Sequence, residues 1–306
     1  MRGTDVIGDI LVRAWQTGHS EGSNAEDISE PFPYRSWKWL LQHKPEFFDR
    51  EDLFDRLDRV DWDVLILLDA CRYDVLSDIA ETAVVESVRS PASATPEFLS
   101  KASQRGVFNG SVYVSANPQV ESVELGSDVQ HVHVYSDHWD EHLSTVRPDP
   151  VYEQVFEAAG QGRPVVAHTL QPHYPHICEI GERTVPVPNG VHPAAHGSTA
   201  VEGAGFQAML ASGRIPLGKA RRSYEASTRF AWRKASSVAA RLAADGNRVV
   251  VSSDHGELFG EYGLVEHPVN VRLPKVEEVP WVVFEPDGLT DRTDGVTEQL
   301  EALGYA

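Results

Sequence analysis

Short apolar runs punctuate an otherwise mixed chain: VLILL at 64–68, VYV at 112–114, PVVA at 164–167, VVV at 249–251 and VPWVVF at 279–284. Runs of this length, bounded by small or polar residues, are the pattern of strands buried on both faces of a parallel sheet. Helical periodicity fills the gaps. Residues 73–80 follow the first run, and 151–159 precede the third. From 221 to 244, Tyr224, Ala231, Ala235, Val238 and Leu242 recur at helical spacing until Gly246 ends the element. In SPASATPEFLSKAS, 90–103, small hydroxyl residues precede Pro96, which predicts a helix with proline at its first position. Weaker patterns predict strands at 83–88 and 131–136. Strand and helix thus alternate, which predicts an α/β fold: a mostly parallel central sheet between two helical layers, α/β/α. Residues 1–60 read as a peripheral, polar helical segment carrying Trp37 and Trp39. Residues 178–218, rich in Gly, Pro and Ala with His192 and His196, read as an irregular excursion, and a short helix at 297–303 closes the chain. There is no repeat and no linker, so residues 1–306 are expected to form a single domain.

Composition narrows the partners. The 306 residues include 27 basic and 46 acidic side chains, a net charge of −19. Nothing in that balance would neutralise phosphates, so a nucleic-acid partner is not expected. Only six of the basic residues are Lys, and the acids are spread throughout; such a surface suits salt-rich cytoplasm and predicts a halophilic protein. Cys71 and Cys178 support neither a disulfide framework nor a Cys-based metal site. The first 16 residues lack the apolar core of a signal peptide, and no run of about 18 apolar residues occurs, so the expectation is a cytoplasmic protein without an integral membrane segment.

Candidate chemistry collects where strands are predicted to end, the edge at which open α/β sheets bind ligands. Asp69 closes the first run; Asp254 and His255 follow VVVSS; His267 comes a loop later; His173 and His176 follow the third run in LQPHYPH. Ser93 and Thr95 lie at the start of the helix that contains Pro96. Each has a bland reading: an Asp after a strand often caps the next helix, and a hydroxyl before a helix often caps that helix. Arg72 and Asp74 read as a local ion pair. His131, His133, His138 and His142 follow strand alternation and an exposed loop, and read as surface residues. A carboxylate beside an imidazole on a rigid strand end is nonetheless half of a divalent-metal site, and Asp69, Thr95 or Ser93, His173, Asp254, His255 and His267 are all expected at one sheet edge.

At these residues the chain resembles a known family. DVLILLDACRYD and SDHGELFGEYGLVEH are similar to the first and last metal-binding motifs of the alkaline phosphatase/sulfatase superfamily, in particular its sulfatase-like branch in a haloarchaeal form, and TLQPHYP resembles the middle motif. The resemblance runs from about residue 63 to 281 and implies the alkaline-phosphatase-like version of the α/β/α fold. It implies Asp69, Asp254 and His255 as ligands of a primary metal, together with a nucleophile oxygen from the stretch 93–96. Thr95 is the first candidate for that oxygen and Ser93 the reserve. His173 and His267 correspond to ligands of a second metal or to donors for the transferred oxyanion.

Three departures matter. Neither cysteine lies in the C-x-P-x-R motif that sulfatases oxidise to formylglycine. Thr169 stands where the second metal's usual Asp would be, and Ala70 where many sulfatases carry a second acid. The implied activity is a metal-dependent hydrolase or transferase acting on phosphate esters, either small or glycan- or lipid-linked, through a Thr or Ser nucleophile. A sulfatase without formylglycine and an inactive binding member are the alternatives. One or two divalent ions are implied. Mixed Asp, His and hydroxyl ligation favours Mn²⁺ or Zn²⁺, whereas Ca²⁺ prefers more oxygen ligands.

Overall fold

A computed structural model of the chain describes residues 50–80, 83–126, 128–191 and 206–286. The predicted N-terminal helical segment up to residue 49, His192, His196 and the predicted closing helix at 297–303 lie outside the described residues.

The principal described elements, in order, are α1 (Leu53–Leu57), β1 (Val64–Asp69), α2 (Tyr73–Ile79), β2 (Glu86–Arg89), α3 (Thr95–Arg105), β3 (Val112–Ser115) and β4 (Gln130–His133). They continue with α4 (Pro148–Ala159), β5 (Val165–Pro172), β6 (Ile177–Ile180), β7 (Arg183–Pro186), α5 (Phe206–Ala211), α6 (Leu217–Ala244), β8 (Val249–Ser253) and β9 (Glu278–Phe284). Seven of the strands form one sheet in the order β2-β9-β8-β1-β5-β3-β4. The five from β8 to β4 are parallel, and β9 and β2 add an antiparallel edge.

β1 is central, and its unbroken apolar run is explained by burial on both faces. Val64, Ile66 and Leu68 pack with Val151 and Val155 of α4 and Ala231, Ala235 and Ala239 of α6. Leu65 and Leu67 pack on the other face with Leu53 and Phe54 of α1 and Phe98 and Leu99 of α3. The alanines of α6 recur every four residues, so one smooth stripe of the helix lies against the sheet. The result is the expected α/β/α sandwich.

Several expectations shift in detail. Helix α3 begins at Thr95 rather than Pro96, with Ala94 at the cap. The strand expected at 83–88 is Glu86–Arg89. The alternating stretch at 131–136 pairs only to His133 and then makes a helical turn over Tyr135–His138. The four histidines of that region are exposed. Within 178–218 the described residues hold the β6-β7 hairpin and α5, because Ile177 and Phe206 bury apolar faces that residue composition did not reveal. Among the described residues, no helix is long and apolar enough to cross a membrane.

Candidate metal centre

Parallel strands β8 and β1 run in register, Leu68 beside Ser253, so the residues that follow each strand emerge side by side. The junction is tightly bonded. Cys71 N donates to Ser253 Oγ at 2.8 Å, and Ala70 N donates to Asp254 Oδ1 at 3.2 Å. Ala70 adopts a left-handed φ of 59°, a conformation that costs a non-glycine residue free energy and recurs where a site demands a sharp turn. Arg72, buried, then ties the two loops together. It makes two hydrogen bonds to Asp74, at 2.8 and 2.7 Å, and donates to the Glu257 carbonyl at 3.0 Å and to Glu261 at 2.6 Å.

Within this frame Asp69, Asp254 and His255 bring ligand atoms within 4.8 Å of one another. Asp254 Oδ1 also accepts from the His255 amide at 2.9 Å, while Oδ2 accepts from the Thr95 hydroxyl at 2.7 Å. Thr95 Oγ1 is 3.3 Å from His255 Nε2. His255 Nδ1 faces the Gly256 carbonyl at 2.9 Å. A carbonyl only accepts, so that nitrogen carries the proton and Nε2 presents a lone pair to the cluster. Asn117 donates to Asp69 Oδ2 at 2.7 Å, leaving Oδ1 buried without a hydrogen-bond partner.

Such a cluster lacks a positive charge. Burial, followed by the charge of Asp254, pushes the Asp69 carboxyl up to about 7. Burial opposes charge on Asp254 as well, yet His255, His168 and the Thr95 hydroxyl hold it well below the usual carboxylate range. Two carboxylates, one imidazole and a hydroxyl, with one oxygen orphaned, are a donor set that fits a divalent cation.

Ser93 takes no part in this cluster. Its hydroxyl is 3.0 Å from the Pro268 carbonyl and 3.1 Å from Glu97 and accepts from Val271 N at 3.2 Å. Glu97, in the first turn of α3, also accepts from Ser93 N at 3.0 Å. Ser93 therefore joins the loop after His267 to the first turn of α3 through Glu97.

His173 and His267 form a second cluster with Glu257, again within 4.8 Å. Their Nε2 atoms are 2.9 Å apart, and the ring of His267 lies 4.3 Å from that of His255. Burial holds both imidazoles below their ordinary range, His267 further because His255 and His173 face it. Burial and then Glu266 push the Glu257 carboxyl well above its own. Thr169 turns away, its hydroxyl 3.3 Å from the Leu67 and Gln171 carbonyls.

Three residues at the site went unassigned from sequence: Asn117, Glu257 and His168. His168 Nδ1 meets the Tyr113 hydroxyl at 2.9 Å, and its Nε2 lies 3.6 Å from Asp254 Oδ2. Asn117 precedes Pro118 after a strand, the signal of a helix cap, and its Oδ1 does accept from Gln119 N at 2.9 Å. His168 lies inside an apolar run, and nothing in the pattern separates it from core.

Gly256 has a steric role. A Cβ there would collide with the Lys275 carbonyl oxygen, and Gly256 N donates to Val276 O at 2.6 Å. Gly256→Ala is expected to cost about 2 kcal/mol in urea unfolding, and to weaken metal binding because Asp254 and His255 move with the displaced backbone.

No protein-family model matches the chain, and no curated protein matches its sequence. Solved structures do. The lipooligosaccharide phosphoethanolamine transferase A of Neisseria meningitidis, an integral membrane protein, superposes with a TM-score of 0.51 at 15% identity, over 82% of this chain and 50% of its own. The present chain thus spans half the length of that transferase. Its soluble domain gives 0.51 at 14% identity, over 73% and 76% of the two chains. A 2-O GAG sulfatase gives 0.49 at 12%, over 73% and 64%. The two transferase structures define the fold as the mostly parallel, alkaline-phosphatase-like α/β/α sandwich. The transferase in both of these structures is a member of the alkaline phosphatase/sulfatase superfamily.

Proposed function

We propose that the chain is a metal-dependent enzyme that transfers phosphoryl groups from phosphate esters, to water or to an acceptor hydroxyl, with Thr95 as nucleophile. One observation carries this reading: a hydroxyl in the first turn of α3 meets Asp254 at 2.7 Å and His255 at 3.3 Å beside the orphaned oxygen of Asp69.

Asp69, Asp254, His255 and Thr95 would hold the primary cation. When bound, a divalent cation there lowers the pKa of the hydroxyl and draws charge from the transferring oxygens. The chain's own groups do the rest. Thr95 Oγ1 has one proton acceptor in reach, Oδ2 of the Asp254 carboxylate; the His255 Nε2 lone pair would be taken up by the cation. A new bond joins Oγ1 to phosphorus as the ester oxygen departs in line. The positive end of the α3 dipole, at which Thr95 sits, favours the charge that gathers on the phosphoryl oxygens. His173 and His267, held neutral by burial, stand ready to orient the departing oxygen and to accept the proton of the group that next attacks phosphothreonine. Asn117 and the His168–Tyr113 pair keep the two carboxylates in place behind the reacting atoms.

The test is an assay of the full chain, in high salt, against an aryl phosphate, a bis-aryl phosphate and an aryl sulfate with Mn²⁺, Zn²⁺ or Ca²⁺. Turnover of a phosphate substrate that stops on chelation is expected. Turnover of the sulfate alone would instead support a sulfatase without formylglycine. Absence of both turnover and bound metal would overturn the enzymatic reading.

A further inference from the structure

We infer that Asn117 is a positioning residue that selects the cation of the primary site. By holding one oxygen of Asp69, it limits that carboxylate to a single ligand atom and so disfavours Ca²⁺ against Zn²⁺. The inference deepens the metal-dependent reading above and rests on it.

The amide of Asn117 has one orientation open to it. Its Oδ1 accepts from Gln119 N at 2.9 Å. A backbone N–H can only donate, so the opposite amide atom is Nδ2, and it donates to Asp69 Oδ2 at 2.7 Å. Asn117 is 5% exposed, and its main chain is fixed just after β3. Its N donates to Ser115 Oγ at 3.0 Å, and that hydroxyl donates back to Asn117 O at 2.9 Å. A short bond from an anchored donor to a buried carboxylate resists stretching. Asp69 Oδ2 is thereby held by Asn117. Oδ1 is the atom left for the cluster, 3.6 Å from His255 Nε2 and without a hydrogen-bond partner.

Asp254 is restricted in the same way. Its Oδ1 accepts from Ala70 N at 3.2 Å and from His255 N at 2.9 Å, which occupies both lone pairs. Only Oδ2, 2.7 Å from the Thr95 hydroxyl, is left for a cation. Each carboxylate therefore offers one oxygen rather than two. With Thr95 Oγ1 and His255 Nε2 added, the donor set has the size and mixture of a zinc site. Calcium takes about six to eight oxygens and often chelates a carboxylate through both of its own. The oxygens of Asp69, Asp254 and Thr95 fall well short of that.

Asn117 is the part of this arrangement that a side-chain change can undo, because the bonds to Asp254 Oδ1 come from the main chain. Asn117→Ser removes the amide donor, while its hydroxyl can still accept from Gln119 N. Asn117→Asp keeps that acceptor and puts an oxygen where Nδ2 stood. Both release Asp69 Oδ2.

The full chain, stripped with chelator, is titrated calorimetrically with Zn²⁺ and with Ca²⁺, and the site is the binding that Asp254→Asn abolishes. In both variants the ratio of the two Kd values is expected to move toward Ca²⁺ by about tenfold or more, with circular dichroism unchanged. Equal weakening of both cations is what a merely structural asparagine would produce, and it overturns the proposal, as does an unchanged ratio. A shift confined to Asn117→Asp overturns it too, since the added carboxylate would then be the cause. Should Asn117→Asp fail to fold, Asn117→Ser decides alone. A parent that binds neither cation through Asp254 overturns the metal-dependent reading along with this one. A parent that binds Zn²⁺ with a ratio indifferent to residue 117 overturns this inference and leaves that reading standing.

Discussion

Thr95→Val is expected to keep its fold and to lose phosphoryl transfer by a factor on the order of 10⁴ or more, as removal of a covalent nucleophile does. Valine matches threonine in shape, so α3 and its packing stay intact, and only the 2.7 Å hydrogen bond to Asp254 disappears. Thr95→Ser keeps the oxygen and should retain a large part of the rate. Ser93→Ala separates the two hydroxyls of this loop. It removes bonds to Pro268 and Val271 and should lower stability by about 1 kcal/mol with little effect on turnover per folded molecule. Rapid-quench mass spectrometry supplies a direct reading: wild type should carry phosphate on the peptide that contains Thr95. Full activity in Thr95→Val with loss in Ser93→Ala would reverse the assignment.

The second large effect concerns the metal and its pH dependence. At about 100 times Kd, a ligand specific to the native state adds about 2.7 kcal/mol, so Zn²⁺ or Mn²⁺ is expected to raise Tm by roughly 5 °C or more. Asp254→Asn should abolish that rise. The direction with pH follows from Asp69, whose folded carboxyl titrates at about 7, above its ordinary 3.8. The folded apo chain therefore binds a proton there that the unfolded chain has already released. Through this group, stability without metal falls as pH rises from about 4 to about 7. Metal binding requires the ionised form, so apparent affinity should weaken by up to about tenfold per pH unit below 7. Differential scanning fluorimetry from pH 5 to pH 8, with and without metal, measures both trends. A metal-induced shift that grows toward pH 5 would contradict the role given to Asp69.

The sheet was legible because β1, β5 and β8 are buried on both faces, which leaves continuous apolar runs that strand pairing alone would not produce. Asp69, Asp254 and His255 were legible for the same reason, since each follows directly on such a run. The order of the strands was not, because register and neighbour choice depend on contacts between distant segments. Nor was the choice between Ser93 and Thr95. Two residues apart at a helix start, they part company only when the first turn of α3 carries one hydroxyl into the cluster and the loop after His267 captures the other. Glu257 stood inside a motif already singled out for its neighbours. Only the folded loops bring its carboxylate beside His173 and His267.

Ser253 Oγ donates to the Leu68 carbonyl across a separation of 185 residues, and the primary site is assembled over that same distance. Most of the chain must be ordered, and β8 must have slotted in beside β1, before Asp69 and Asp254 can share a cation. Local segments therefore cannot collect the metal early and use it as a nucleus. Ion uptake should come in the last kinetic phase of refolding, following the slow formation of long-range strand pairs, and bound metal should act mainly by slowing unfolding.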